Sequence, residues 1–379
     1  MSLANRPGSY DWILGMKKNY SLEMAKSVIN RYHPNQMRWH YEHGLVITAI
    51  LEVGDHYQQK SFFDWAYSMY DPFIKEDGTI KQYRVGENNL DMINAGRNLF
   101  LLHERTGEQR FMKAAHILRE QLINQSRTHN GIYWHKQLYP WQVWLDGVYM
   151  QGPFSALWAK YADDREVLKD LVSQIEKIYA TLRDPKTGLL YHAWDESRGM
   201  RWSNLESGLS PHFWGRAIGW YVMAIVDIIT IIGVDDPLSA PLRKILNTLM
   251  ADILPFQQPD GMFYQILDHS EAEGNYLETS ASAMFAFTLL KMMSLGISDT
   301  PSFEEAALKT LEGIEQRYLD TKEEGNYHLG GICSVAGLGG NPYRDGSLYY
   351  YFKEPQFTDD FKGVGPYILA ALERERILK

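Results

Sequence analysis

Residues 165–195 read REVLKDLVSQIEKIYATLRDPKTGLLYHAWD. Leu168, Leu171, Val172, Ile175, Ile178, Tyr179 and Leu182 recur at the helical period, so residues 165–183 are predicted to form an amphipathic helix with one wet face. A glycine turn followed by an aromatic, Thr187-Gly188-Leu189-Leu190-Tyr191, comes next, and His192 after it. This unit recurs along the chain. Phe111, Ala115, Leu118 and Leu122 predict a second wet-faced helix, and Leu242, Ile245, Leu246, Leu249 and Ile253 a third. Between them lie segments apolar nearly all round: Met92 to Leu102, Phe154 to Tyr161, Trp214 to Ile232 and Ala281 to Leu295. A helix without a wet face has to be buried by its neighbours.

Five of the longer links carry the glycine turn, at Gly78, Gly131, Gly188, Gly261 and in Glu324-Gly325-Asn326-Tyr327. Repeated helix pairs of this kind mark a repeat architecture. Twelve helices are predicted near residues 20–33, 42–54, 59–72, 89–105, 108–125, 147–162, 165–183, 212–232, 239–254, 277–294, 302–319 and 363–378. Six hairpins with buried and wet helices alternating predict an all-α (α/α)6 barrel, with inner and outer helix rings. An open solenoid would need polar terminal caps. Gly365-Pro366-Tyr367-Ile368-Leu369-Ala370-Ala371-Leu372 is apolar, so residues 1–379 read as one barrel domain whose last pair meets its first.

Composition narrows the function classes. Formal net charge is −9 with no basic stripe, which argues against nucleic acid and anionic membrane as partners. The single Cys333 rules out an intrachain disulfide and fits a reducing, cytoplasmic compartment. No signal peptide is apparent, and Met1-Ser2-Leu3 is compatible with a cloning remnant. The apolar stretch from Phe213 to Ile232 holds Arg216 and Asp227 and reads as a buried helix, not a membrane span. Aromatics make up 13% of the chain. Those in loops, Tyr133, Trp134, Tyr191, Trp194 and Trp202, suit a surface that binds sugars or rings.

In such a barrel the long loops enter the inner helices from one end, so six helix N-termini face one funnel suited to anions. Asp146 starts an inner helix within WQVWLDGVYMQGP, residues 141–153. It is open to two readings: a helix cap, or a general acid whose burial among rings disfavours ionisation. Asp91 begins the preceding inner helix. Arg216, between Trp214 and Trp220, either pairs with a structural carboxylate or holds an anionic substrate. His129 and His135 flank a loop without a third metal ligand, and no His-Glu-x-x-His or Cys-x-x-Cys occurs, so neither metal nor cofactor is expected. The glycines at 330–331 and 337–340 form neither a P-loop nor a dinucleotide fingerprint.

Three motifs resemble family 105 of the glycoside hydrolases: Trp-Leu-Asp-Gly-x-Tyr-Met-x-x-Pro at 144–153, His-Phe-Trp-Gly-Arg-x-x-Gly-Trp at 212–220 and Glu-Thr-Ser-Ala-Ser-Ala at 278–283. Gly346-Ser347-Leu348-Tyr349-Tyr350-Tyr351 and Asp359-Asp360-Phe361-Lys362-Gly363 resemble it too. These are the unsaturated rhamnogalacturonyl hydrolases, similar to the unsaturated glucuronyl hydrolases of family 88. The resemblance implies an exo-acting enzyme that removes a C4=C5 unsaturated uronic acid from oligosaccharides left by polysaccharide lyases. It implies Asp146 as acid and base and Asp91 as the second active-site aspartate. Tyr41, Lys136, Trp144, His192, Trp214, Arg216 and Trp220 are then expected to contact substrate, the tryptophans by stacking on sugar faces. Two rivals stand beside it. A sugar epimerase on the same barrel would use His192 and His212 as a pair across the funnel, and a non-catalytic carbohydrate-binding barrel would have no need of Asp146.

Overall fold

A computed structural model describes residues 19–323 and 325–378. Met1-Ser2-Leu3 and Glu324 lie outside the described residues. The outer helices are α1 (Tyr20–Arg31), α3 (Lys60–Tyr70), α5 (Gln109–Asn124), α7 (Arg165–Leu182), α9 (Ser239–Ile253) and α11 (Pro301–Tyr318). The inner ones are α2 (Tyr41–His56), α4 (Asn98–Thr106), α6 (Asp146–Ala162), α8 (Gly215–Ile232), α10 (Thr279–Ser294) and α13 (Phe361–Ile377). A short α12 (Leu348–Lys353) lies in the last long loop. The all-α barrel of two helix rings is thus observed.

The inner ring is continuous: α2 and α6 both pack on the Asn94–Arg97 turn that leads into α4, α6 packs on α8, α8 on α10, α10 on α13, and α13 back on α2. That last contact closes the ring. Around it Ser21 N donates to Glu375 Oε1 at 3.0 Å, and Lys362 Nζ to Glu42 Oε1 at 2.8 Å. Helix α8 has the length and apolarity of a membrane span, yet 83% of that stretch is buried inside the barrel.

The glycine turns explain how the pairs step around the ring. All five glycines have positive φ, from 71° at Gly325 to 90° at Gly131. A side chain is strained in that region, and glycine is not. Space matters as well. A Cβ on Gly188 would lie 2.3 Å from Asp252 of α9, and one on Gly261 2.2 Å from the Lys309 carbonyl oxygen of α11. Each turn therefore rests on the outer helix of the next pair. The last one completes the circuit, with Asn30 of α1 donating to the Gly325 carbonyl at 3.1 Å.

One predicted helix is not continuous. Instead of a helix over 89–105, residues Leu90–Met92 and Asn94–Arg97 form 3-10 turns before α4 begins. Pro153, inside α6, gives a physical link to this irregularity. Lacking an N–H, it leaves the carbonyl of Tyr149 one turn back without its helical donor. Asn94 supplies the replacement through Nδ2 at 3.0 Å. Helix α6 runs on through Pro153, and the side chain that repairs it comes from the non-helical turn.

Candidate active site

Three local structures place the charged groups at the loop end of the barrel. Strand β1 (Gln142–Trp144) pairs antiparallel with β2 (Ala193–Asp195), setting Trp144 opposite Ala193. Leu145 N then donates to the His192 carbonyl at 3.1 Å, so His192 lies beside the start of α6. Asp91 sits in the first 3-10 turn, which is tied to the 135–136 strand-like segment by Leu90 N to the His135 carbonyl at 3.1 Å. Arg216 occupies the first turn of α8.

Asp146 is the first residue of α6, and Leu145 is the cap residue, with no side-chain capping bond. The cap reading is therefore corrected: the helix begins too early for the Asp146 carboxylate to cap it. Asp146 Oδ2 is buried and lacks a hydrogen-bond partner within the protein. His192 Nε2 lies 3.6 Å from it, longer than a hydrogen bond. Burial lowers the pKa of His192 against the opposing pull of Asp146, so the imidazole is neutral at pH 7.

Asp91 differs sharply. Its Oδ2 is 2.5 Å from Lys136 Nζ and its Oδ1 3.1 Å from His135 Nε2. Burial by itself would raise its pKa, but Lys136 and His135 outweigh that and hold the carboxyl far below the usual range. Asp91 is a fixed anion. The Lys136 ammonium, expected to help grip a uronate, is engaged with that anion.

Arg216 is 1% exposed. No carboxylate among the described residues lies within ion-pair reach of it, so the structural-carboxylate reading is not what the protein built. Its Nη1 donates to the Cys333 carbonyl and, at 3.4 Å, to Ser280 Oγ, while Nε has no partner. Its guanidinium lies 4.7 Å from the ring centre of Trp214. Glu278, the cap of α10, accepts from Ser280 Oγ at 2.7 Å and from Cys333 N at 3.0 Å, and so holds both of the groups that Arg216 touches.

The aromatics form walls. Trp144 lies parallel to His135 and to Tyr139, with ring centres 5.0 and 5.3 Å away. Trp220 stacks on Tyr149 at 4.7 Å and meets Tyr41 edge-on at 5.7 Å across the barrel axis. Trp214 leans on His192 at 4.7 Å. All three tryptophans are buried, so they shape the pocket and leave little ring face for a sugar, a correction to the expected stacking. Tyr41, at the start of α2, also reaches the site. Burial and the carboxylates of Glu42, Asp91 and Asp146 push its hydroxyl well above the ordinary phenol range, with Arg216 opposing.

The residues named from sequence thus lie near one another at the loop end of the barrel. Sequence reading passed over His135, Glu278, Ser280 and Tyr351 as functional groups. His135 was visible beside Lys136, and Glu278 as a helix-start acid, but only the fold shows what they touch. His192 and His212 share one wall: the His192 N–H donates to the His212 carbonyl at 3.4 Å and both rings lie against Tyr351. They do not face each other across the funnel, as an epimerase pair would. Among the described residues no group of three or more His, Cys, Asp or Glu side chains is placed to hold a metal ion.

Comparison with known proteins identifies the family and the fold. The model of Glycosyl Hydrolase Family 88 matches residues 16–378. A solved family 105 glycoside hydrolase from C. acetobutylicum is 41% identical, with 95% of this chain and 100% of that one covered and a TM-score of 0.91. Protein Atu3128 of Agrobacterium fabrum is 40% identical over 226 residues, 58% of this chain and 96% of its own length. The unsaturated rhamnogalacturonyl hydrolase YesR of Bacillus subtilis is 24% identical over 295 residues, 76% of this chain and 80% of its own.

Proposed function

The chain belongs to glycosyl hydrolase family 88, in the company of family 105, and on that premise we propose that it removes a 4,5-unsaturated galacturonyl unit from the non-reducing end of rhamnogalacturonan oligosaccharides. One observation carries the reading. Four buried polar atoms without hydrogen-bond partners, Asp146 Oδ2, His192 Nε2, His135 Nδ1 and Arg216 Nε, belong to side chains linked to one another through Trp144 and Trp214. Buried polar groups are almost always satisfied. Here a cation, an acid and two imidazoles await a polar, anionic guest.

The chemistry follows from an enol ether. Asp146 in its acid form delivers a proton to C4, and positive charge develops at C5 with the ring oxygen sharing it. The Asp146 carboxylate left behind takes a proton from water as that water attacks C5. The hemiketal so formed opens to a ketone, and the aglycone leaves from C1. Arg216 holds the uronate carboxylate with charge-assisted hydrogen bonds. Asp91, kept anionic by Lys136 and His135, accepts from sugar hydroxyls, and its nearness favours the charge building at C5. Asp91 is not the proton donor, because it carries no proton to give. Action inside the cell, on oligosaccharides already imported, belongs to the same proposal and rests on the lone buried Cys333.

The test is a panel of lyase-digested polysaccharides followed by the ultraviolet absorbance of the C4=C5 bond. Absorbance should fall fastest on rhamnogalacturonan digests. Faster loss on glucuronyl-terminated digests would move the assignment to an unsaturated glucuronyl hydrolase. Binding of these oligosaccharides without loss of absorbance would make the barrel a carbohydrate-binding protein.

A further inference from the structure

The mechanism above gives no work to α12, although its Tyr351 is fully buried and touches the site. Resting on that mechanism, we propose that Tyr351 is a positioning residue that fixes the tautomer of His192, keeping the imidazole proton on Nε2, where it faces Asp146.

The Tyr351 hydroxyl lies 2.7 Å from His192 Nδ1. Both side chains are 0% exposed. An enclosed phenol has one proton to place and needs an acceptor for it. Nδ1 is the acceptor in reach. A ring nitrogen that accepts carries no proton, so the neutral imidazole bears its proton on Nε2. The reverse arrangement, with Nδ1–H donating to the phenol oxygen, would strand the hydroxyl proton in a dry place, and that costs about 1–3 kcal/mol. Neither charged form competes: burial drives the Tyr351 hydroxyl well above the ordinary phenol value and His192 below that of free imidazole.

This assigns a direction to the 3.6 Å approach between His192 Nε2 and Asp146 Oδ2. The two atoms are too far apart to be hydrogen-bonded, and with its proton on Nε2 His192 turns a donor, not a second acceptor, toward Asp146. Once Asp146 has given its proton to C4, that Nε2–H faces the carboxylate that must receive the next one from water. His192 on this account presents a donor throughout the cycle and is never the base.

Nitrogen-15 NMR of histidine-labelled full-length protein at neutral pH tests this directly, with His192 assigned by its disappearance in His192→Gln. The expected spectrum has His192 protonated at Nε2 and bare at Nδ1. In Tyr351→Phe the two nitrogen shifts should move toward each other as the tautomers mix. Turnover should fall on the order of 10²-fold, as for a misplaced catalytic group, with KM little changed. A wild-type spectrum with the proton on Nδ1 overturns the proposal whether or not the variant folds. So does a folded Tyr351→Phe whose kcat and His192 shifts match wild type. Failure of the enzymatic reading is separate: it would show as no consumption of unsaturated uronides by wild type, with the tautomer still readable.

Discussion

The two ends of the barrel handle buried charge in opposite ways. At the end away from the long loops, the C-terminal halves of the inner helices surround a cleft of about 250 Å³. Arg97 and Asp227 meet there at 2.8 Å, and Lys291, Arg376 and Glu373 form a cluster at 2.9 and 2.5 Å. Arg97 also donates to Tyr149, and Arg376 to Glu52. No atom of these groups is left buried without a partner. At the loop end the acid, its neighbouring imidazole and the arginine each keep one buried polar atom unmatched. One end spends its charges on the fold, and the other keeps them for a guest. Burial and charge alone therefore do not locate a site. Unmatched buried atoms occur elsewhere too, at Arg183 and Arg243 for instance, so what marks the loop end is their gathering around Asp146.

Substitutions can break this contrast. Asp146→Asn should lower turnover on the order of 10³–10⁴-fold while the thermal midpoint stays near wild type, checked by absorbance assay and calorimetry. Appreciable residual activity would remove Asp146 from the acid's role. At the opposite end, Asp227→Ala strands the buried Arg97 and should cost about 3–5 kcal/mol of stability. Denaturant titration reads that, and activity per folded molecule should be unchanged. If activity falls as well, the two ends are coupled and the contrast is too simple.

A milder change sharpens the picture. Arg216→Lys keeps the charge but loses the planar fork, and KM for an unsaturated disaccharide should rise about tenfold, roughly 1.4 kcal/mol, with a smaller change in kcat. An unaltered KM would move the carboxylate grip elsewhere.

The smallest predicted effect concerns acid. His43, on α2 near the loop end, is held by burial at about 4 in the fold, against 6.5 for the free side chain. The unfolded chain therefore binds the proton first, and stability is lost as pH falls from 6.5 toward 4. At pH 5.5 the loss is about 1 kcal/mol, one pH unit below the unfolded value. His43→Gln should flatten that part of the curve of thermal midpoint against pH, and an unchanged curve would contradict the assignment.

Sequence made the barrel legible because both of its signals are local. Period and wetness separate α7 from α8 without any tertiary knowledge, and the glycine before each aromatic marks a backbone shape that few other residues adopt. The break at 90–97 escaped because the run from Met92 to Leu102 is apolar enough for a helix, whereas the bond that accompanies the break, Asn94 to the Tyr149 carbonyl, reaches another helix. The site divides similarly. Asp146 and Arg216 stand out as polar residues in apolar surroundings. Lys136 was found, but its commitment to Asp91 depends on two loops meeting. The burial of Trp144 against His135 and Tyr139 was equally invisible, since a tryptophan beside an acid looks the same in sequence whether its face is open or covered. Tyr351 lies 159 positions from His192, and nothing between them announces the pairing.

Trp220 is packed between Tyr149 and Tyr41, and Tyr149 is held in turn by Arg97 of the Arg97–Asp227 pair. On the function proposed, a site backed by this packed layer admits a terminus and does not thread a strand. Its natural unit of supply is then the number of chain ends per volume, not the mass of polysaccharide. Each upstream cleavage that creates a new unsaturated end adds one more addressable molecule, so throughput should track how finely the polymer has already been cut.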